Sequence, residues 1–330
     1  MDRIVADRGE GGEARDVIAP SPSAAALAAL VQAGDYARAA RAEATQRAYR
    51  ADWSHFEDWC RTHGLEPLPA APQAVGGYLA AHATTLAPAT LTRRLSAITV
   101  AHRLAGHHLD TRHPAIRDVL SGIRRVRGTA QRRAAPATTS VVQRMAAACN
   151  ITTAIGLRDR ALVLVGFAGA FRRSELVTLR VKDVREEAEG LRVVIRRSKA
   201  DQEGAGEVIG IARTATATCP VTALRAWLDR AGISEGPIFR AVDRHGRIAE
   251  TTLNDGAVAR VVQKLAATTG LDATTFSGHS LRAGFATAAA AAGIEERRIA
   301  QQTRHRSAAV RIYIRDGEVF RRNPSGEVGL

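Results

Sequence analysis

One phenol surrounded by cations is the clearest chemistry in this sequence. Tyr313 is the only tyrosine in the final 250 residues, and it closes the segment Thr303-Arg304-His305-Arg306-Ser307-Ala308-Ala309-Val310-Arg311-Ile312-Tyr313. Upstream stand Gly278-His279-Ser280-Leu281-Arg282 and Ala170-Phe171-Arg172-Arg173-Ser174-Glu175-Leu176. Cutting a phosphodiester by covalent attack needs a nucleophile, neutralisation of the added negative charge, and a proton for the leaving oxygen. Tyr313 can supply the phenolate, and Arg172 and Arg282 can each present a planar fork to phosphate oxygens. His279 and Arg282 are three residues apart at an expected helix start, so they share a face. Ser280 is placed to cap that helix and Gly293 to end it. His305, eight residues before Tyr313, can hydrogen-bond the same phosphate. Lys199, in an expected hairpin loop, is a mobile proton donor able to reach a minor groove. Glu175, one turn after Arg172, can hold a neighbouring basic side chain in place.

No metal or cofactor is expected. Cys60, Cys149 and Cys219 lack Cys-x-x-Cys spacing, so neither zinc nor a disulfide framework is indicated. His102, His107, His108 and His113 lack carboxylate or cysteine partners at ligand spacing and read as surface or DNA-proximal. The formal charge of +14 over 330 residues favours a polyanionic partner. Nearly all of that charge is arginine, with lysine only at 182, 199 and 264. No run of 18 apolar residues suggests a membrane span and Met1-Asp2-Arg3 opens no signal peptide, so a reducing cytoplasm, nucleoid-associated in a bacterium, is the expected setting.

The elements that must position these residues follow from periodicity. Residues 1–20 mix Gly, Glu, Asp and Arg without pattern and are expected to be disordered. Residues 21–127 read as a helical domain, in which Tyr49, Trp53, Phe56 and Trp59 form an apolar stripe that ends at Gly64. Ten arginines fall between Pro88 and Arg133, against Asp110 and Asp118. Of these, Arg93, Arg94, Arg124, Arg125, Arg127, Arg132 and Arg133 are the expected phosphate contacts. Residues 128–139 read as a linker, 140–315 as a second domain and 316–330 as a tail. Within the second domain Leu157–Gly169 is a buried helix, Val181–Val184, Leu191–Arg197 and Glu207–Ile211 are short strands, and the rest is helical. The fold class is mainly α with a small antiparallel β-sheet.

Taken together, Arg172-Arg173-Ser174-Glu175-Leu176, Lys199, His279-x-x-Arg282, His305 and Tyr313 resemble the tyrosine recombinase (phage integrase) family, including the relatives of Cre. In order they match its first catalytic Arg, its Glu/Asp, its hairpin Lys, its His-x-x-Arg, its His/Trp and its nucleophilic Tyr. That pattern selects Arg172 over Arg173, because the catalytic Arg stands three before the Glu. One departure is the spacing: the Tyr follows the His by nine residues in most members and by eight here, so either the intervening turn is tighter or the His305 contact is displaced. The resemblance implies a helical, SAM-like core-binding domain followed by an α+β catalytic domain of the DNA breaking-rejoining type. It implies attack by Tyr313 to give a 3′-phosphotyrosyl link and a free 5′-hydroxyl, then reversal by a partner duplex without ATP or metal. The implied partners are a double-stranded DNA site and further copies of the chain, a dimer per site and a tetramer in synapse. Arg321 and Arg322 then belong to a tail that packs on a neighbouring subunit or is simply disordered. A type IB topoisomerase-like enzyme and a DNA-binding accessory protein of the same fold that has lost catalysis share most of these features.

Overall fold

A computed structural model describes residues 23–39, 42–129, 133–196, 206–305 and 310–318. The chain divides into two compact units, Met1–Ala130 and Gln131–Leu330. The segment expected to be disordered, together with Lys199, Arg132, Arg321 and Arg322, lies outside the described residues.

The first unit is helical: α1 (Ala24–Ala39), α2 (Glu43–Thr62), α3 (Pro72–Ala81), α4 (Pro88–Leu104) and α5 (Pro114–Arg127). Proline opens α3, α4 and α5, where its missing N–H costs nothing and its fixed φ suits the first turn. The His113 side chain adds a cap to α5 by accepting from Ala115 N–H. Phe56 and Cys60 of α2 pack with Val75, Tyr78 and Leu79 of α3, Leu91 and Ile98 of α4 and Ile116 of α5. The aromatic stripe of α2 is thus helical core, with Phe56 fully enclosed and Trp53 and Trp59 packed against it. Helices α3 and α5 approach so closely that a Cβ on Gly76 would lie 2.0 Å from the Ala115 carbonyl oxygen.

The second unit continues with α6 (Thr139–Ala147), α7 (Ala154–Ala168), α8 (Arg173–Thr178), β1 (Val184–Glu186), β2 (Gly190–Ile195), β3 (Glu207–Ala212), α9 (Pro220–Ala231), β4 (Arg240–Val242), β5 (Ile248–Thr252), α10 (Asp255–Thr268), α11 (Ser280–Ala291), α12 (Glu296–Thr303) and α13 (Val310–Glu318). Helix α7 lies at the centre: its run Ala161–Val165 is buried, and Arg158 and Asp159 in its first half are buried as an ion pair. Strands β1, β2 and β3 form one antiparallel sheet, with Val193 opposite both Val184 and Ile209, and Leu191 opposite Ile211. Alternation along β2 and β3 turns Leu191, Val193, Ile195, Ile209 and Ile211 into the core.

Several expectations need correction. Val181–Asp183 is a 3-10 turn, and β1 starts one residue later, at Val184. The Asp183 carboxylate accepts from Arg180 N–H and from Arg196 Nε, a local bond that competes with strand pairing. The six-residue α8 and the β4–β5 hairpin were not anticipated. Residues 134–138, read as linker, join the second unit instead: Ala135 N–H donates to Thr275 O, Ala137 N–H donates to Ser280 O, and Ala137 is fully buried. Ala137 also explains Gly284, where a Cβ would lie 1.9 Å from the Ala137 carbonyl oxygen. His102 is not a surface group. It is completely enclosed, accepting from Ala70 N–H at Nε2 and donating from Nδ1 to Ile98 O.

The α3–α5 contact predicts a paired outcome. Gly76→Ala should destabilise the first unit by about 1–3 kcal/mol through overpacking. Gly77→Ala, whose nearest neighbour is a Trp59 ring carbon at 3.7 Å, should be neutral or stabilising because alanine favours helix. Urea unfolding followed by tryptophan fluorescence checks this, since Trp53 and Trp59 both report on that unit. Equal effects of the two substitutions would refute the close approach.

Candidate active site

The site is built on the C-terminus of α7. The carbonyls of the last turn have no partner within the helix and carry partial negative charge, so they attract donors and cations. Here they are met by side chains from α11 and from α12 and the residue after it. Gln302 Nε2 donates to Ala168 O at 2.9 Å and, bridging to β3, to Gly210 O at 3.0 Å. Arg304 donates to Gly169 O at 2.9 Å, and both Arg304 and Arg282 donate to Ala170 O, at 2.8 and 2.9 Å. Ala170 takes φ 45° and Arg304 takes φ 57°, the two non-glycine residues with positive φ among those described. Backbone strain of this kind concentrates where geometry serves a site.

Glu175 gathers the guanidinium groups from the other side. Its side chain is buried in α8; Oε1 accepts from Arg172 at 2.5 Å, and Oε2 accepts from the Arg172 backbone N–H at 3.0 Å and from Arg304 at 2.8 Å. The neighbouring Arg173 turns away to Asp255, 3.2 Å distant. Arg282 is 1 % exposed, yet only one of its terminal nitrogens is bonded. Its Nε and other Nη are buried without a partner among the described residues. Three guanidiniums share Glu175, and Glu207 of β3 acts on Arg304 from outside, so the cage keeps a net positive charge.

The phenol lies beside this cage. Tyr313, held by α13 against Ala286, Ala289, Ala290, Ile299 and Val310, places its hydroxyl 2.9 Å from His279 Nε2. The His305 ring centroid is 6.0 Å from that of Tyr313. Tyr313 and His279 therefore meet within one chain despite the eight-residue His305–Tyr313 spacing. His279 precedes α11, and its backbone N–H donates to Ser277 Oγ. Ser280 does not cap α11 as expected; its Oγ is buried and accepts from Ser277 N–H. Gly293 follows the helix at φ 78°.

The electrostatics record the crowding. Burial first, then Arg172 and Arg304, pull the Arg282 pKa down to about 9, which still leaves it charged at neutrality. Burial, with Arg282, Arg172, His279 and Arg304 behind it, pulls His305 down to about 4. For Glu175, burial works to raise the pKa but is outweighed by Arg304 and Arg172, which hold the carboxyl below its ordinary value. The Thr303 hydroxyl donates to Ile299 O at 2.7 Å and so accepts from His305 Nδ1 at 2.7 Å, leaving Nε2 as the ring nitrogen free of that bond.

Of the residues predicted from sequence, Arg172, Glu175, His279, Arg282, His305 and Tyr313 are brought together, and Lys199 is outside the described residues. Sequence reasoning missed Arg304 and the Ala170 carbonyl. In the first unit, Arg93 forms a two-pronged pair with the buried Asp52 at 2.7 and 3.0 Å, and Arg94 bonds Tyr78 Oη at 2.6 Å and His55 Nδ1 at 2.9 Å. Arg94 is thus committed to internal partners, while Arg93 stays half exposed. On α5, Arg124 reaches Thr92 Oγ1 and Arg127 reaches Thr84 O, and both remain exposed along with Arg125. Arg133 is likewise exposed. No helix among the described residues is long and apolar enough to cross a membrane.

Residues 137–318 match the phage integrase family. Over 288 residues the chain is 41% identical to the integrase/recombinase XerD homologue of Selenomonas ruminantium, covering 86% of this chain and 84% of that one. The fold resembles a lambda integrase dimer bound to a COC′ core site, with TM-score 0.58 and 16% identity over 88% of this chain and 77% of that one. It also resembles the XerH site-specific recombinase bound to palindromic difH substrate in a post-cleavage complex, with TM-score 0.56 and 16% identity over 76% and 69% of the two chains. With the family match spanning more than half of the sequence and reaching from Ala137 through the whole cage to Tyr313, the chain belongs to the phage integrase family of tyrosine recombinases.

Proposed function

We propose that this protein is a site-specific recombinase that cuts and rejoins duplex DNA through Tyr313. The phenolic oxygen forms a bond to the scissile phosphorus while the bond to the 5′ oxygen breaks, giving a 3′-phosphotyrosyl link and a free 5′-hydroxyl. His279 Nε2 takes the phenolic proton, and Lys199 gives a proton to the leaving oxygen. A 5′-hydroxyl from a partner duplex then reverses the step, so the phosphodiester energy is conserved and no ATP is consumed. Arg172 and Arg282 neutralise the non-bridging oxygens, where preorganised donors do most for the transition state. His305 joins them through Nε2, which requires it to gain a proton as the phosphate arrives, because its Nδ1–H is engaged by Thr303. The observation that carries the reading is the 2.9 Å contact between His279 and Tyr313 beside a buried Arg282 with two uncommitted nitrogens.

Duplex binding is assigned to Arg124, Arg125, Arg127 and Arg133 with the exposed edge of Arg93, and the working assembly to a dimer per site and a tetramer in synapse. Both rest on sequence bias, family membership and exposure.

Incubating the protein with a nicked duplex library of random sequence, and sequencing the DNA that stays attached on denaturing gels, tests the reading and defines the site. Tyr313→Phe should abolish the adduct while leaving duplex affinity nearly unchanged; an adduct formed by that variant would exclude Tyr313 as nucleophile. Arg125→Ala should reduce the slope of log K against log salt by about one, and an unchanged slope would remove α5 from the DNA face. The low His305 pKa sets a sign for stability. The unfolded chain binds a proton near the ordinary value of 6.5 and the folded one only near 4, so stability drains away as pH falls through that window. Thermal melts of His305→Gln should therefore fall less steeply than those of the native protein between pH 6.5 and 4.

A further inference from the structure

Arg304 adjoins His305 yet faces away from solvent, with a side chain only 1% exposed. Its backbone is left-handed at φ 57°, a conformation that costs any residue with a Cβ and that glycine adopts freely. An arginine here therefore carries backbone strain and the burial of a charge, two costs that glycine would avoid. Its bonds show what is obtained in return. One Nη donates to Gly169 O at 2.9 Å and Gln302 O at 2.6 Å, and the other donates to Ala170 O and Glu175 Oε2, both at 2.8 Å. The guanidinium also lies over the Phe171 ring at 5.3 Å. Two of those acceptors are shared: Ala170 O with Arg282 and the Glu175 carboxylate with Arg172. The backbone carbonyl of Arg304 lies 3.5 Å from an Arg172 Nη as a weak third tie.

Without the Arg304 side chain, Glu175 would have one guanidinium fewer to neutralise it, and the cage would be less positive by one charge. We propose that Arg304 is a positioning residue that sets the charge excess of this cage: by sharing Glu175 and the Ala170 carbonyl, it keeps Arg172 and Arg282 incompletely neutralised and turned toward an incoming phosphate. This rests on the reading that the cage receives a DNA phosphate. Arg304 itself does not touch the DNA.

Arg304→Gly isolates the side chain, because glycine keeps the left-handed backbone and so the carbonyl contact to Arg172. Calorimetry with inorganic vanadate as a phosphate-like probe, in the absence of DNA, should show binding weakened about tenfold by loss of one nearby charge. Adduct formation on the duplex recovered by trapping should slow about a hundredfold, the scale of a misplaced catalytic group, while duplex affinity stays within about twofold. Arg304→Lys, which retains the charge but not the fork, should recover most of the vanadate affinity but not the adduct rate, and it carries the test if the glycine variant is insoluble. The proposal is overturned if Arg304→Gly keeps both vanadate affinity and adduct rate within about twofold. It is equally overturned if both variants lose vanadate binding, adduct rate and duplex affinity together, as a residue that merely fills space would cause. If the native protein forms no adduct at all, the recombinase reading fails, and the vanadate comparison still decides the role of Arg304.

Discussion

The end of one buried helix governs the rest of the structure. Because α7 is buried along most of its length, with Gly169 and Ala170 beyond it also buried, the carbonyls at its end have little water to satisfy them. Ala168, Gly169 and Ala170 instead accept from Gln302, Arg304 and Arg282. That single requirement ties α7 to α11 and to the end of α12, and through Glu175 to α8. It explains why arginines separated by more than a hundred residues converge. It also explains the conformation of Ala170, whose left-handed turn lets one carbonyl serve two guanidiniums.

The arrangement is expensive for the free protein. Like charges at contact distances of about 4–6 Å repel by roughly 3–4 kcal/mol per pair at an effective dielectric near 20. Buried donors without partners add a desolvation cost of about 1–3 kcal/mol each. Arg282 bears both, and its lowered pKa reflects them. Glu175 relieves part of the repulsion but cannot cancel three cations. The remaining imbalance is the one a phosphate can resolve, because its oxygens supply acceptors and negative charge together. Donors held in place in this way need no reorganisation when charge develops.

What could be read from the sequence depended on whether a residue had a local signature. The helical character of the first unit was legible because the apolar stripe of Tyr49, Trp53, Phe56 and Trp59 marks α2. Six cage residues were legible because their types and order match a known pattern. Arg304 was not, because an arginine beside a histidine carries no signal in a chain with 47 basic residues, and a left-handed φ leaves no trace in composition. The β4–β5 hairpin was hidden by its mostly polar, partly exposed residues, with a turn organised by Asp243 accepting from His245 and Arg247 N–H. His102 was misread because its acceptor role toward Ala70 depends on a contact 32 positions away in sequence.

The two units use arginine in opposite ways. On α5 the guanidiniums are exposed, in high dielectric, where each is worth little alone and salt screens all of them. Such a surface suits many weak contacts to a regular backbone and imposes no demand on the angle of any one fork. In the cage the same group is buried, its orientation fixed by carbonyls and a carboxylate, and salt cannot reach it. An arginine there keeps one orientation, at the cost of stability. Asp52 with Arg93 and Arg94 lies between these extremes: a buried carboxylate anchors one fork that stays half exposed and another that is nearly enclosed. The extent to which carboxylates and carbonyls enclose each guanidinium, more than the number of arginines, therefore separates a screened, adaptable surface from a fixed cluster of donors.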